Sequence, residues 1–170
     1  AVIKGHEEIV NLLLEQDDID PNRPDINDRT PLGCAACDGH EGVVKILLGR
    51  EDVDPNHQDI QASTPLSLAA YNGHEGVISD NGHEGVVRIL LGREDVDPNH
   101  QGIEASTPLL LAAYNGHEGV VKILLEREDV DPNRPDDDNQ TPLGWAALKG
   151  HEEVVKLLQG RGDTNPNTPD

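Results

Sequence analysis

One interval of 34 residues recurs along this chain and limits the folds that it can adopt. Three short motifs, Thr-Pro-Leu, Gly-His and Asp-Pro-Asn, repeat in steps of 34 residues, with one interruption that adds nine. The threonines of the first motif mark the register: Thr30, Thr64, Thr107 and Thr141. A unit of this size cannot bury an apolar face alone, so the period predicts a stack in which each unit packs on its neighbours.

Each unit opens with the signals of a short helix. Thr64 can cap the helix through its hydroxyl, and Pro65 takes the first helical position, where a missing amide hydrogen costs nothing. The paired alanines Ala69 and Ala70 keep the helix slim, so the next unit can approach closely. Gly73 and its equivalents are expected to end the helix in the left-handed conformation.

A second helix is predicted after the Gly-His dipeptide. The glutamate that follows places a carboxylate at the positive N-terminal end of the helix. Val120, Ile123 and Leu124 then recur at i, i+3 and i+4 and form one apolar stripe. The next stretch, Asp-Val-Asp-Pro-Asn, is too rich in turn residues for a helix. The segment from this stretch up to the next Thr-Pro is therefore predicted to be a projecting turn, here called the finger.

These units predict an all-α fold, a solenoid of helix–turn–helix units with projecting β-turn or hairpin loops. The whole chain is assigned to one domain, with a partial unit, three complete units and a terminal unit: 1–29, 30–63, 64–106, 107–140 and 141–170. We expect a monomer, and the position of Ala1 in mid-unit leads us to expect that it belongs to a longer chain.

The unit 64–106 contains the nine-residue insertion, near 72–80, which duplicates the sequence that begins at Asn81. Only the second copy continues into Leu90 and Leu91, so we expect the second copy to form the second helix. The first copy is interpreted as a relic of unequal recombination, and the alternative is a loop that contacts a partner. Loop closure entropy grows slowly with length, so nine residues are tolerable there.

The net charge of −20 limits the possible partners. A field of that sign repels phosphate backbones and anionic lipid, so we expect no nucleic acid and no membrane as partner. No stretch reaches the ~20 apolar residues that a membrane span needs. Two cysteines cannot form a secreted disulfide framework, and their number favours a reducing, cytoplasmic location.

No pattern in the sequence predicts catalysis, a cofactor or a metal site. Six of the eight histidines belong to Gly-His and lie one layer apart, so they cannot converge on a metal at ~2 Å bond lengths. Cys34 and Cys37 form a lone Cys-x-x-Cys pair and fill positions that hold Leu, Trp or Tyr in other units. We therefore predict that the protein is not an enzyme and binds no cofactor.

The sequence Thr-Pro-Leu-x-x-Ala-Ala-x-x-Gly-His, followed by Glu-x-Val-Val-x-x-Leu-Leu, resembles the ankyrin repeat over essentially the whole chain. The finger sequence Arg-Glu-Asp-Val-Asp-Pro-Asn most resembles the multi-ankyrin arrays of filamentous fungi. Two features depart from the family. The histidine expected after Thr-Pro-Leu is replaced, and the turn glycine two residues before each threonine is replaced by Asp28, Ala62, Ala105 or Asn139. Both departures suggest looser units.

The resemblance implies a protein–protein interaction module that binds its partner on a concave face, formed by first-helix tails and fingers. Carried over by position, the candidate residues on the helix tails and fingers are Tyr71, Asn72, Tyr114, Asn115, Leu148, Lys149, Ile26, Ile60, Ile103, His57 and His100. The two tyrosines are the strongest functional signal, because tyrosine is enriched at interface hot spots. The fingertip isoleucines are open to two interpretations: partner contact, or attachment of one finger to the next.

The partner expected from the charge has a basic and apolar surface. Two alternatives remain at this point: a structural spacer between domains, and an engineered or recombined repeat fragment without its own ligand. Trp145 replaces a core leucine and is expected to pack. Gly42, Gly85 and Gly119 weaken the first turn of three second helices, so replacing them with glutamate is expected to raise the melting temperature.

Overall fold

The computed structural model describes residues 1–16, 18–73 and 82–161. Over these ranges the chain forms helices and turns without a β-strand. In chain order the α-helices are α1 (Glu7–Leu14), α2 (Pro31–Cys37), α3 (Glu41–Leu48), α4 (Pro65–Tyr71), α5 (Gly82–Leu91), α6 (Pro108–Asn115), α7 (Glu118–Leu125), α8 (Pro142–Lys149) and α9 (Glu152–Gly160). Two short 3-10 helices lie at Val2–Lys4 and Ile103–Ala105. The all-α solenoid is confirmed.

The helices form two rows. The first helices of the units, α2, α4, α6 and α8, pack side by side, and so do the second helices, α1, α3, α5, α7 and α9. Within each complete unit the first helix also packs on the second. The core runs between the rows and consists of small and branched side chains, with leucines such as Leu66, Leu109 and Leu124 almost fully buried.

The four predicted threonine caps are present. In each first helix the threonine Oγ1 accepts a hydrogen bond from the amide three residues on, at 3.1–3.2 Å. A proline follows each threonine at the helix start. In α4 the Ser67 hydroxyl lies 3.1 Å from the Thr64 hydroxyl, in the position where the family has histidine.

The first helices do not all end in the predicted way. Gly39, Gly116 and Gly150 are left-handed, with φ of 72°, 77° and 79°. Gly73 differs from these three glycines, because its φ is not left-handed. Helix α4 ends instead at Asn72, which has φ −93°. This exception occurs where the duplicated sequence follows. The first copy lies, from residue 74 on, outside the described residues, whereas the second copy forms α5.

The first-turn glycines of the second helices have a packing role that the sequence did not reveal. A Cβ built at Gly42 would overlap the carboxylate of Glu7 in the preceding layer. The same overlap arises between Gly85 and Glu41, and between Gly119 and Glu84. Each glycine therefore makes room for a carboxylate near the positive N-terminus of the next helix. A glutamate here would displace that carboxylate and add a like charge, which opposes the gain expected from helix propensity.

Each finger contains a non-glycine residue in the left-handed region. The positions that hold glycine in the family have φ between 54° and 61°: Asp28, Ala62, Ala105 and Asn139. Asn and Asp tolerate this conformation, but alanine pays a steric penalty of roughly 1–2 kcal/mol between its Cβ and the carbonyl oxygen. The fingers therefore keep the left-handed turn of the family, and at Ala62 and Ala105 this conformation is strained.

Ala62→Gly is expected to raise the free energy of unfolding by roughly 0.5–1 kcal/mol, because it removes this strain at a smaller entropic cost in the unfolded chain. Urea unfolding followed by far-ultraviolet circular dichroism measures the change. The matched control is Ala69→Gly in the buried interior of α4, which is expected to lower the same free energy by about 1 kcal/mol. A loss of stability in Ala62→Gly would contradict the presence of strain.

Candidate partner-binding face

The tails of the first helices are fixed by a row of histidines from the following layers. His40, His83, His117 and His151 each direct Nε2 at a backbone carbonyl of the preceding layer, at 3.0–3.1 Å. Because a carbonyl only accepts, Nε2 is the donor in each bond. The acceptors are Ile3, Cys37, Tyr71 and Tyr114. The histidine of the Gly-His motif therefore sets the position of the helix tail on which the partner site is predicted.

An arginine after α3, α5 and α7 joins the layers at the other end. Arg93 Nη1 donates to the Leu48 carbonyl at 3.1 Å, while Nε and Nη2 bond the two carboxylate oxygens of Asp95 at 2.8 and 2.7 Å. The pairs Arg50–Asp52 and Arg127–Asp129 repeat the arrangement. The acidic Arg-Glu-Asp-Val-Asp-Pro-Asn segment is thus partly neutralised within each of the three complete units.

Asparagines of the Asp-Pro-Asn motif hold successive fingers together. Asn56 Nδ2 donates to the Asp95 carbonyl at 2.6 Å, and Asn56 Oδ1 accepts from the Asp97 amide at 3.1 Å. Asn99 makes the same two bonds to Asp129 and Asp131, at 2.6 and 2.8 Å. Each asparagine side chain therefore makes the pair of hydrogen bonds that a backbone amide and carbonyl would make in a β-ladder. These bonds join one finger to the next, although the described residues contain no strand.

The hydrogen bonds from Arg93 lower the pKa of the Asp95 carboxyl below its ordinary value. A depressed folded-state pKa means that Asp95 adds stability above its unfolded-state pKa of about 3.9. That contribution is lost as the pH falls through the lower folded-state pKa.

Asp95→Asn is therefore expected to lower the free energy of unfolding by about 0.5 kcal/mol at pH 7, the usual worth of an exposed pair. The difference from the original chain should stay constant down to pH 5 and shrink as the pH falls through the folded-state pKa. Urea midpoints at pH 7, 5 and 3 measure it. Glu94→Gln removes a neighbouring carboxylate that has no ion pair in the described residues, so it controls for the overall charge. A difference at pH 3 as large as the difference at pH 7 would contradict this prediction.

Three fingers are capped by an aspartate. Asp25, Asp59 and Asp136 each accept two hydrogen bonds at Oδ1, from the amides two and four residues on, at 2.8–3.0 Å. The second oxygen points elsewhere, and in Asp59 it pairs with Arg29 Nε at 3.1 Å. The remaining finger has Gly102 at this position and forms the 3-10 helix Ile103–Ala105 instead. Its tip contains two left-handed residues, Glu104 and Ala105.

The structure separates the two interpretations of the fingertip isoleucines. Neighbouring fingers are attached through the backbone, because the Ile60 amide donates to the Asn27 carbonyl at 3.1 Å and the Ile103 amide to the Gln61 carbonyl at 3.4 Å. The side chains remain exposed, with 97% of Ile26, 66% of Ile60 and 54% of Ile103 accessible. The isoleucine side chains are thus not needed to attach the fingers and are accessible to a partner.

His57 and His100 have a structural role that the sequence did not suggest. His57 Nε2 lies 3.0 Å from the Asp28 carbonyl, and His100 Nε2 lies 3.1 Å from the Ala62 carbonyl. Both acceptors belong to the left-handed residues of the preceding finger. Both rings are half-buried, so contact with a partner is open only to their outer edges.

The helix tails differ in how much surface they expose. Tyr71 is 52% exposed and Leu148 is 71% exposed, as expected for contact residues. Asn72 and Asn115 are half-buried, and their side-chain amides cap the ends of their own helices by bonds to the carbonyls of Leu68 and Leu111 at 2.9 and 3.0 Å. The two asparagines therefore shape the face more than they project from it.

Tyr114 belongs to a closed cluster. The Trp145 ring meets Tyr114 edge-on, with centroids 5.0 Å apart, and the Lys149 ammonium lies 4.1 Å from the Tyr114 centroid. Trp145 Nε1 donates to Asp136 Oδ2 at 2.6 Å. Trp145 thus packs on the face of helix tails and fingers, where it is half-buried, and not in the core as its leucine-like position suggested.

A groove opens between α4, α6 and the two fingers that precede them. Its volume is about 380 Å³, and its lining mixes apolar side chains with hydroxyls and amides. Leu68, Tyr71, Leu111 and Ile103 supply most of its apolar wall, and the backbone at Gly102 leaves its side open. Glu104 also lines it. The groove therefore brings together three residues predicted from sequence, Tyr71, Asn72 and Ile103.

The cysteines contribute no reactive thiolate to this region. Burial is the largest cause that raises the pKa of both Cys34 and Cys37 above the ordinary value, so the thiols stay protonated at neutral pH. Within the described ranges no group of three or more His, Cys, Asp or Glu residues is placed to hold a metal ion. No helix in the same ranges has the length and apolar character needed to cross a membrane.

The two rows of helices, the stacked fingers and the capped turns define a helical repeat solenoid. The family model described as ankyrin repeats (3 copies) matches residues 1–79 and 76–170, which together cover the chain. The protein belongs to the ankyrin repeat family, whose members are generally protein–protein interaction modules and typically non-catalytic. No curated protein matches the chain.

Proposed function

We propose that this chain is a non-catalytic module that binds a partner protein on the face formed by its first-helix tails and fingers, with the groove beside Tyr71 at its centre. The observation that carries the proposal is the position of Tyr71, half-exposed at the wall of a groove of about 380 Å³. A tyrosine combines large apolar area with a polar tip, and such residues dominate binding energies at interfaces.

The rigidity of this face supports the proposal. The Tyr71 carbonyl accepts from His117 Nε2 at 3.0 Å and from Asn115 Nδ2 at 3.3 Å, so the helix tail is held by the following layer. The Ile103 finger is joined to its neighbours through backbone bonds on both sides. A surface that is already ordered loses less conformational entropy when it binds.

The charge supports a partner with a basic and apolar surface. Glu104 lines the groove beside the exposed Ile103, and the following finger adds the carboxylates of Asp137 and Asp138. With a net charge of −20, the chain attracts a basic partner and repels polyanions. A monomeric, cytoplasmic state, a longer parent chain and the likeness to fungal arrays remain predictions from the sequence.

Selection of random 12-residue peptides displayed on phage against the whole chain tests this function. We expect peptides that bind in the micromolar range and lose about 10-fold or more in affinity on Tyr71→Ala, the loss typical of a hot spot. Lys45→Ala, on the exposed side of α3 away from the groove, is the control and is expected to leave affinity unchanged. Selected peptides that bind Tyr71→Ala as well as the original chain would place the site elsewhere, and a failure to select any peptide would favour a spacer.

A further inference from the structure

The layer after the groove contains a filled version of the same site. Tyr114 occupies in α6 the position that Tyr71 occupies in α4, because both tyrosines follow the paired alanines of their units. Around Tyr114 the space is taken by the Trp145 ring, by the Lys149 ammonium and by the Asp136 carboxylate that bonds Trp145. This layer shows which groups fit against a tyrosine at this position.

Around Tyr71 all three of these groups are replaced by smaller ones. By register, Leu111 stands where the next unit has Trp145, Asn115 where it has Lys149, and Gly102 where it has Asp136. Leu111 and Gly102 both line the groove with Tyr71. The groove therefore corresponds to the space that Trp145, Lys149 and Asp136 occupy in the next layer, around Tyr114.

The missing group of greatest consequence is the cation. No lysine or arginine lies over the Tyr71 ring in the described residues, and the residues outside them include neither type. Glu104 lines the same groove and has no ion pair among the described residues. The guanidinium of Arg29 also lines the groove, but it is paired with Asp59 at 3.1 Å, so its charge is compensated.

We infer that the groove receives a lysine or arginine side chain of the partner, with its cation over the Tyr71 ring and within the field of Glu104. The aliphatic part of such a side chain matches the apolar wall formed by Leu68 and Leu111, and its charged end matches Glu104. A tyrosine face attracts a cation through the quadrupole of its ring, as the Lys149–Tyr114 pair shows in the same chain. This inference rests on the proposed function, and it names the chemistry that the groove selects.

The test uses peptides selected on the whole chain, in which each lysine or arginine is replaced in turn by norleucine, which keeps the aliphatic part and removes the charge. One such replacement is expected to lower affinity by about 3- to 10-fold, in line with a partly desolvated cation–π contact. The same replacement should have a clearly smaller effect on Tyr71→Leu, in which only Glu104 still favours the cation, so the two changes form a double-mutant cycle with a clear coupling.

Two further variants locate the contact. Gly102→Asp introduces the residue that Asp136 supplies beside Trp145 in the next layer, and it is expected to lower peptide affinity at least as much as Tyr71→Leu. Glu104→Gln is expected to reduce the preference for a cation over norleucine without changing the melting temperature. Lys45→Ala should leave the cycle unaltered.

The outcomes separate the two proposals. Peptides that bind through Tyr71 but tolerate norleucine at every basic position would overturn the inference, show an apolar occupant and leave the proposed function intact. Peptides that bind independently of Tyr71, or no selected peptide at all, would overturn both.

Discussion

Leu109→Ala is expected to lower the free energy of unfolding by about 3 kcal/mol, because it removes a leucine that is 1% exposed between two layers of the stack. Leu109 lies in α6, which packs on α4 on one side and α8 on the other. The resulting cavity weakens interfaces with both neighbours. In a stack, stability is approximately the sum of unit and interface terms, so damage in a middle layer affects more than one unit.

Trp145, the single tryptophan, allows the spread of this damage to be measured. It lies in the layer of α8 and α9, which pack chiefly on α6 and α7. In Leu109→Ala the fluorescence midpoint of Trp145 in urea should fall at least as far as the circular dichroism midpoint. Leu148→Ala, 71% exposed in the same layer, is the control and should change stability by less than about 0.5 kcal/mol. An unmoved Trp145 transition would mean that the layers unfold independently.

His117→Ala is expected to lower the free energy of unfolding by about 2 kcal/mol. The ring is buried, it bonds the Tyr71 carbonyl at 3.0 Å, and it packs against Gly73. Its removal leaves a cavity and weakens the hydrogen bonding of a helix-end carbonyl, each worth about 1 kcal/mol or more. The tail that carries Tyr71 also loses its fixed position, so peptide affinity should fall together with stability.

A matched control for His117→Ala lies within the same chain. His6 occupies the equivalent position of the first unit and is exposed, and among the described residues its side chain makes no hydrogen bond to another layer. His6→Ala should therefore change the urea midpoint by an amount equivalent to less than about 0.5 kcal/mol. Equal losses in the two variants would show that the imidazole stabilises its own turn and not the contact between layers.

The features that follow from local sequence could be predicted. The threonine caps, the proline starts, the helix order and the choice of the second copy for α5 depend on residues within one turn or on the period itself. The exposed positions of Tyr71 and Ile103 also follow from register alone. The family assignment rests on the same repeated residues.

The rest depends on which residues face each other across a layer, and a linear reading does not contain that information. The pairing of Trp145 with Asp136 and the place of Glu7 over Gly42 became visible only in three dimensions. In the sequence, Gly102 stands where the other fingers have an aspartate. Its structural effects, an open groove and a fingertip with two left-handed residues, depend on the residues around it.

Most bonds that join one layer to the next have a side chain at one end only. The histidine and arginine bonds end on carbonyls of the preceding layer, and the asparagine bonds end on the backbone of the following finger. Every residue has a backbone carbonyl, so these bonds do not require a particular residue on that side of the junction. Units of such an array can be copied, deleted or exchanged while their junctions still form, and a chain of this kind can change its binding surface by shuffling whole units.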